Sequence, residues 1–249
     1  MKEDILGYQV EALTPRECCD QIINAIEKAE KRWLACMNPH SYAVALDDFK
    51  FRSALHGADF LVADGVAVML ASRLLGGGIR QRVTGWDIFV GVLERLNRSE
   101  GKRVFFLGAT EETLLMIRNR LSQDYPNITL AGTYSPPFKP DYSQSELDDM
   151  IAAVNGAQVD VLWVGMTAPK QEKWILDNLP ALDVKFAAAV GAVFDFYTGR
   201  IKRSHPVFQA IGLEWLPRLL QEPKRLWRRT FVSAPLFVFH LLREKLGGN

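Results

Sequence analysis

Val159-Asp-Val-Leu-Trp-Val-Gly165, running straight into Met166-Thr-Ala-Pro169-Lys-Gln-Glu172, is the stretch that decides the fold. A short, almost unbroken apolar run is the pattern of a strand buried on both faces, as strands of a parallel sheet are. Pro169 fits the first turn of a following helix, where its missing N–H costs nothing. Strand, tight turn and helix in that order form the repeating unit of an α/β domain.

Working outward, the same unit recurs. The pattern predicts strands at Trp33–Met37, Phe60–Ala63, Arg103–Leu107, Ile128–Gly132, Val159–Gly165 and Val184–Val190. Helical segments are predicted between them at Ser41–Leu55, Val66–Leu75, Trp86–Leu96, Glu111–Ser122, Gln144–Val154 and Lys170–Leu179. This alternation implies a parallel sheet with helices on both faces. Thr110-Glu-Glu supplies a capping oxygen and first-turn carboxylates, and Ser143-x-x-Glu146 reads as a capping box. Ile5–Leu13 reads as an extra N-terminal strand ahead of a helix opened by Thr14-Pro15. No internal repeat or low-complexity segment interrupts the pattern. With 249 residues, 48% of them hydrophobic, the chain can bury a sizeable core.

After Gly199 the alternation stops. Residues 206–245 are helical in pattern, rich in Trp, Leu and Arg, and broken by Pro206, Pro217, Pro223 and Pro235. The chain is therefore expected to divide into an α/β body, 1–199, and a basic helical C-terminal appendage, 200–249. The net charge of +1 conceals this division: residues 200–249 carry +7 and the rest −6. Segregated charge of this kind points to an anionic partner, and a solvated basic helix is the alternative. Phe231–Leu242 is too short to span a bilayer but lies beside Arg228 and Arg229, which suits a helix lying in a membrane interface; a helix packed on the body or on another subunit fits as well. The opening MKEDILGYQV lacks the apolar run of a secretory signal, and no apolar run of about eighteen residues occurs, so neither a signal nor a membrane span is expected. Three cysteines, Cys18, Cys19 and Cys36, are an odd number and are expected as reduced thiols.

Five groups of residues carry candidate chemistry. Asp64, in Ala63-Asp64-Gly65, follows an apolar strand and so lies where open α/β sheets bind ligands. A carboxylate there can act as a general base, and Gly65 lets the backbone turn closely around a ligand; an Asp capping the next helix is the alternative. Arg82 stands after Gly76-Gly77-Gly78, read as a mobile loop, and before a helix start, where a guanidinium can grip a diphosphate. Lys170, Gln171 and Glu172 open a helix at the same edge, where Lys and Gln can read phosphate and sugar hydroxyls; a plain capped junction is the alternative. Asp195 is the acid in which a third strand is expected to end. Arg218, Arg225 and Arg228 recur at a spacing that can place them on one helix face toward a diphosphate, or on a solvated stripe.

Other chemistries lack their residues. No G-x-G-x-x-G follows a strand and no G-x-x-x-x-G-K-[ST] occurs, which weighs against a Rossmann-type oxidoreductase and against ATP binding. His40, His56, His205 and His240 are scattered without zinc spacing. There is also no D-x-D, the acidic pair with which many sugar transferases hold a divalent metal. A mechanism without metal or other cofactor is therefore expected, in which arginines and backbone amides meet the leaving-group charge.

Taken in order, the blocks Asn38-Pro39, Ala63-Asp64-Gly65, Arg82-Val-Thr-Gly85-x-Asp87, Phe106-Leu-Gly108, Pro169-Lys-Gln-Glu172, Val190-Gly191 with Phe194-Asp195-Phe196, and Gly212-Leu-Glu-Trp215-x-x-Arg218 through Glu222-Pro-x-Arg225 resemble the WecG/TagA/CpsF family of bacterial glycosyltransferases (glycosyltransferase family 26). The resemblance implies a Rossmann-like α/β body with a C-terminal appendage and inversion at the anomeric carbon. It implies transfer from a UDP-sugar, of N-acetylmannosamine type, its uronic acid or another hexose, to a polyprenyl-diphosphate-linked glycan acceptor in surface polysaccharide synthesis. It places the general base on Asp64 and donor-pocket residues on Asn38, Arg82, Gln171 and Asp195, with Arg218, Arg225 and Arg228 facing a diphosphate. It further implies peripheral attachment to the cytoplasmic face of the bacterial inner membrane and an anionic membrane surface as partner. No nucleic-acid partner is expected, and a homo-oligomer stays open. Cys36 stands where many relatives have Thr, Met166-Thr167 replaces Leu-Gly, and Ser204-His205 replaces Ala-Pro. The first two departures flank the donor pocket and leave the sugar open. A non-catalytic UDP-sugar-binding or assembly subunit is the other reading of the same residues.

Overall fold

The computed structural model describes residues 1–201 and 223–247. Six parallel strands form the main sheet: β3 (Arg32–Met37), β4 (Phe60–Ala63), β5 (Arg103–Gly108), β6 (Thr129–Tyr134), β7 (Val159–Gly165) and β8 (Val184–Ala189). Their order is β4-β3-β8-β7-β5-β6. The continuous apolar sequence of β7 has its expected cause, since its first six residues are all buried. β6, at the edge, is mostly half-buried and correspondingly less apolar.

Helices cover both faces. On one lie α2 (Pro39–Asp47), α3 (Phe49–Gly57), α4 (Val66–Leu74), α7 (Gln144–Asn155) and α8 (Lys170–Asn178). On the other lie α1 (Pro15–Glu27), α5 (Gly85–Leu96), α6 (Glu111–Asp124) and α9 (Val193–Thr198). The predicted caps form: Ser143 and Glu146 make a reciprocal capping box at α7, and Thr110 accepts from the Thr113 N–H at α6. The α/β class with a parallel sheet and two helical layers is therefore the observed one.

Two local expectations are corrected. The segment read as one helix, Ser41–Leu55, is two, because Asp48 leaves helical geometry (φ −111°, ψ 94°) and its side chain caps α3 by accepting from the Phe51 N–H at 2.9 Å. Asp competes with the helix for backbone donors and favours such a cap. The N-terminal strand expected at Ile5–Leu13 is an antiparallel hairpin, β1 (Lys2–Ile5) and β2 (Tyr8–Glu11), turning at Leu6-Gly7 with both residues at positive φ.

The described C-terminal part comprises α10 (Pro223–Arg228), a π-helical turn (Arg229–Ser233) and α11 (Ala234–Gly247). One face of α11 packs on α2: Phe237 and Leu241 are buried in the same core as the sheet, and Phe237 meets Tyr42 edge-on with centroids 5.4 Å apart. Among the described residues no helix is long and apolar enough to cross a membrane.

Candidate active site

β3 is linked onward to β4 on one side, while β8 is reached from β7 on the other, so the chain changes direction between β3 and β8. Ligands of open α/β sheets bind outside the carboxyl ends of strands at such a point. Asp64 leaves β4 at this edge, and its N–H donates to the Met37 carbonyl at 2.8 Å, which sets it beside Asn38 at the end of β3. Asn38 is the N-cap of α2. Its Oδ1 accepts the N–H groups of His40 and Ser41, each at 3.0 Å, and Ser41 Oγ accepts the Asn38 N–H at 2.7 Å. With the oxygen committed to the cap, the amide nitrogen must point away from it, and it faces Asp64 Oδ2 at 3.4 Å. Gly65 takes the N-cap position of α4 at φ +107°, a conformation that favours glycine. The reading of Asp64 as that helix's cap therefore does not hold.

Arg82 comes to the same edge through its neighbour, since the Val83 N–H donates to the Ala63 carbonyl at 3.0 Å. The glycine loop before it is clasped rather than loose. Glu3 of β1 accepts from Ser72 Oγ at 2.6 Å and from the Gly78 N–H at 2.5 Å. A Cβ on Gly77 would lie 2.2 Å from the Glu3 carboxylate. After Arg82, Thr84 and Asp87 form a capping box that starts α5. Gly85 lets this start approach closely: a Cβ there would meet Val190 O at 3.4 Å and Cys36 Sγ at 3.7 Å.

α8 contributes three residues with different fates. Lys170 turns toward the loop before α7, with its ammonium donating to the Lys139 carbonyl and lying 4.0 Å from the centre of the Tyr142 ring. Gln171 is buried and bridges to the turn after β8, its Oε1 accepting the Gly191 N–H at 3.1 Å. Glu172, also buried, accepts from Gln171 Nε2 at 2.9 Å through Oε1, while its Oε2 has no partner. Burial pushes the Glu172 carboxyl up to about 7.

Asp195 does not end a strand as expected. β8 stops at Ala189 and Gly191 turns at φ +60°, so Asp195 lies in the first turn of α9, half-buried. Arg228 is at the surface on α10. Burial, followed by the nearby charges of Arg229 and Arg228, lowers His40 to about 4, so both arginines stand close to the opening of α2. Two further bonds fasten this region: His40 Nδ1 lies 2.9 Å from Ser233 Oγ, and Tyr42 Oη lies 2.7 Å from His240 Nδ1. Arg218 and the side chain of Arg225 lie outside the described residues.

The three cysteines are free thiols. Burial raises all three; Cys19 reaches about 11, and at Cys36 the neighbouring carboxyl groups of Asp64 and Glu172 add to the effect. None is poised as a nucleophile at neutral pH. Among the described residues no group of three or more His, Cys, Asp or Glu converges as a metal site.

Asn38, Asp64, Gly65, Arg82 and Gln171 thus meet at one sheet edge, Asp195 follows that edge on α9, and Lys170 is engaged elsewhere. Sequence reasoning gave no role to His40 and Ser233, whose pairing crosses 193 residues of chain, and it placed Glu172 at the sheet edge without a task, since its unpaired oxygen has no sequence signal.

The family model described as glycosyl transferase WecG/TagA/CpsF family matches residues 3–249. Three relatives share the printed name N-acetylglucosaminyldiphosphoundecaprenol N-acetyl-beta-D-mannosaminyltransferase. One from Bacillus spizizenii is 31% identical over 220 residues, covering 88% of this chain and 82% of its own. One from Bacillus subtilis is 29% identical over 226 residues, covering 91% and 82%. One from Staphylococcus aureus (strain MW2) is 27% identical over 246 residues, covering 98% and 93%. With the family model matching nearly end to end, this chain belongs to the WecG/TagA/CpsF family and is a glycosyltransferase.

Proposed function

We propose that this glycosyltransferase moves an N-acetylmannosamine-type sugar from its UDP conjugate to a sugar carried on a polyprenyl diphosphate, with inversion and without a metal. The observation that carries the reading is the pairing at the end of β4: Asp64 faces the Asn38 amide at 3.4 Å, and the segment holding Arg82 is bonded to the same strand. The relatives' printed name supplies the acceptor class and the N-acetylmannosaminyl group. UDP as carrier follows from the family resemblance. Cys36 and Met166-Thr167, beside the donor pocket, leave the uronic acid or another hexose as the variants to test.

In this mechanism an acceptor hydroxyl attacks the anomeric carbon and its proton passes to the Asp64 carboxylate as the new bond forms. The bond from that carbon to the diphosphate breaks, and UDP departs with both electrons. Arg82, together with Arg218, Arg225 and Arg228, meets the growing charge on the diphosphate, the task a divalent metal performs in other transferases. Gln171 and Asp195 line the donor side.

Attachment to the cytoplasmic face of the membrane fits the same region. Phe231, Phe239, Leu242 and Leu246 are exposed on the C-terminal helices, away from the face packed on α2. Arg228, Arg229, Arg243 and Lys245 flank them. An apolar stripe bordered by cations suits the interface of an anionic bilayer, where each cation contributes on the order of 1 kcal/mol.

The test is release of UDP and formation of a one-sugar-longer lipid, across a panel of UDP-sugars with N-acetylglucosaminyl-diphosphoundecaprenol as acceptor. UDP-N-acetylmannosamine should give the highest kcat/KM. UDP release that does not depend on the acceptor would overturn the proposal.

A further inference from the structure

The proposed mechanism leaves one buried ionisable group without a task. Glu172 is 3% exposed, as is Gln171 beside it. Burying a carboxyl costs several kcal/mol unless its oxygens are satisfied, and Glu172 Oε2 is not. Packing does not explain it, because an apolar side chain of similar volume would fill the same space more cheaply.

Its bonds do explain it. A backbone N–H can only donate, so the Gln171 atom facing Gly191 at 3.1 Å is the carboxamide oxygen. The Gln171 nitrogen then faces Glu172, whose Oε1 accepts at 2.9 Å. The carboxamide is held from both ends and has one orientation. These bonds use one of its two N–H donors and one lone pair, so donor and acceptor capacity is left over. Gly191 adds no side chain there: a Cβ at that residue would touch only Gln171 Nε2, at 3.7 Å. The turn fixed this way adjoins Val190, against which the Gly85 end of α5 rests.

We infer that Glu172 is a positioning residue of the donor pocket, holding the Gln171 carboxamide, and through it the Gly191 turn, in the orientation that receives the nucleotide-sugar. This rests on the proposed function insofar as the ligand is a UDP-sugar. Glu172 itself touches no reacting atom, since its free oxygen is sealed from solvent.

Glu172→Met and Glu172→Gln test it. Met fills the volume without a comparable acceptor; Gln restores an acceptor oxygen in place. Glu172→Met should fold as well as the native chain, raise KM for UDP-N-acetylmannosamine about tenfold through the lost anchor, and change kcat much less. Glu172→Gln should recover most of that loss. In the ligand-free protein, the Gln171 side-chain amide protons should be distinct and slow to exchange in the native chain and in Glu172→Gln, and averaged in Glu172→Met. An unchanged KM in Glu172→Met, a fall in kcat alone, or unaltered Gln171 amide signals would each overturn the inference. Should the native protein turn over no UDP-sugar, the proposed function fails, while the amide signals still decide whether Glu172 holds Gln171.

Discussion

α2 and α8 open at the same edge of the sheet, and they treat the polar groups of their first turns in opposite ways. At α2, Asn38 and Ser41 satisfy each other's backbone in a reciprocal box, and the one group left over, the Asn38 amide nitrogen, is turned toward Asp64. At α8, Pro169 provides no capping side chain, and the polar atoms of Gln171 and Glu172 are buried with one oxygen unpaired. The first opening is a satisfied frame that sets the Asn38 amide against the Asp64 carboxylate. The second retains an energetic cost, which is what the positioning role inferred for Glu172 would account for. Two carboxyl groups near one thiol, Cys36, thus receive different surroundings, and the tasks proposed for them differ accordingly.

The comparison can be broken from several directions. The frame at α2 is backed from outside by α11, whose Phe237 is fully buried against Tyr42. Phe237→Ala should cost about 3–5 kcal/mol in denaturant unfolding, as an emptied aromatic site does. A loss under about 1 kcal/mol would mean that α11 only rests on the body and does not support the α2 frame.

The cost at α8 should be visible as a pH dependence. Glu172 is held near 7 in the fold, above the ordinary carboxyl value of 4.5. The folded state therefore keeps its proton where the unfolded state has lost it, and stability falls as pH rises from about 4.5 through about 7. Glu172→Gln cannot titrate, so its stability relative to the native chain should improve over that window by on the order of 3 kcal/mol and then level off. Parallel stability curves for the two proteins would show that the carboxyl is not buried at cost.

At α2 the expected loss is smaller. Asn38→Ala removes an N-cap and should destabilise by about 1–2 kcal/mol. It should also lower turnover further than that loss of stability accounts for, because the Asp64 carboxylate loses its amide neighbour. A purely structural role would leave kcat of the folded fraction unchanged.

The smallest expected effect is that of a chelator. Transfer should persist in excess EDTA without stimulation by magnesium or manganese, since arginines take the part of the metal in the proposed mechanism. Strict dependence on either ion would mean that the leaving diphosphate is stabilised in another way.

The sheet, its helical layers and most caps were legible in the chain because period and capping chemistry are local. β7 reads as buried on both faces because it is, and Ser143-x-x-Glu146 reads as a helix start because those side chains bond to each other. The break at Asp48 was hidden, as the apolar pattern runs on across it while one side chain ends the helix. The hairpin turn at Leu6-Gly7 was hidden because Leu is an unusual residue at positive φ. At the site, Asp64 and Asn38 carried a signal of position, but that Gly65 and not Asp64 takes the N-cap position of α4 needed the backbone geometry. Glu172 stood in plain view within its block. What sets it apart, a missing partner, depends on atoms from α8 and the turn after β8 that sequence alone does not bring together.

The most direct measurement of the central claim sets Asp64→Asn beside Glu172→Gln, with kcat and UDP-sugar affinity measured for both. The account predicts that Asp64→Asn loses about 10²–10⁴-fold in kcat, as removal of a general base does, while its donor affinity is kept. Glu172→Gln should keep both kcat and most of its donor affinity. Near-normal turnover by Asp64→Asn, together with a collapse of kcat in Glu172→Gln at unchanged donor affinity, would reverse the roles of the two carboxyl groups and contradict the account.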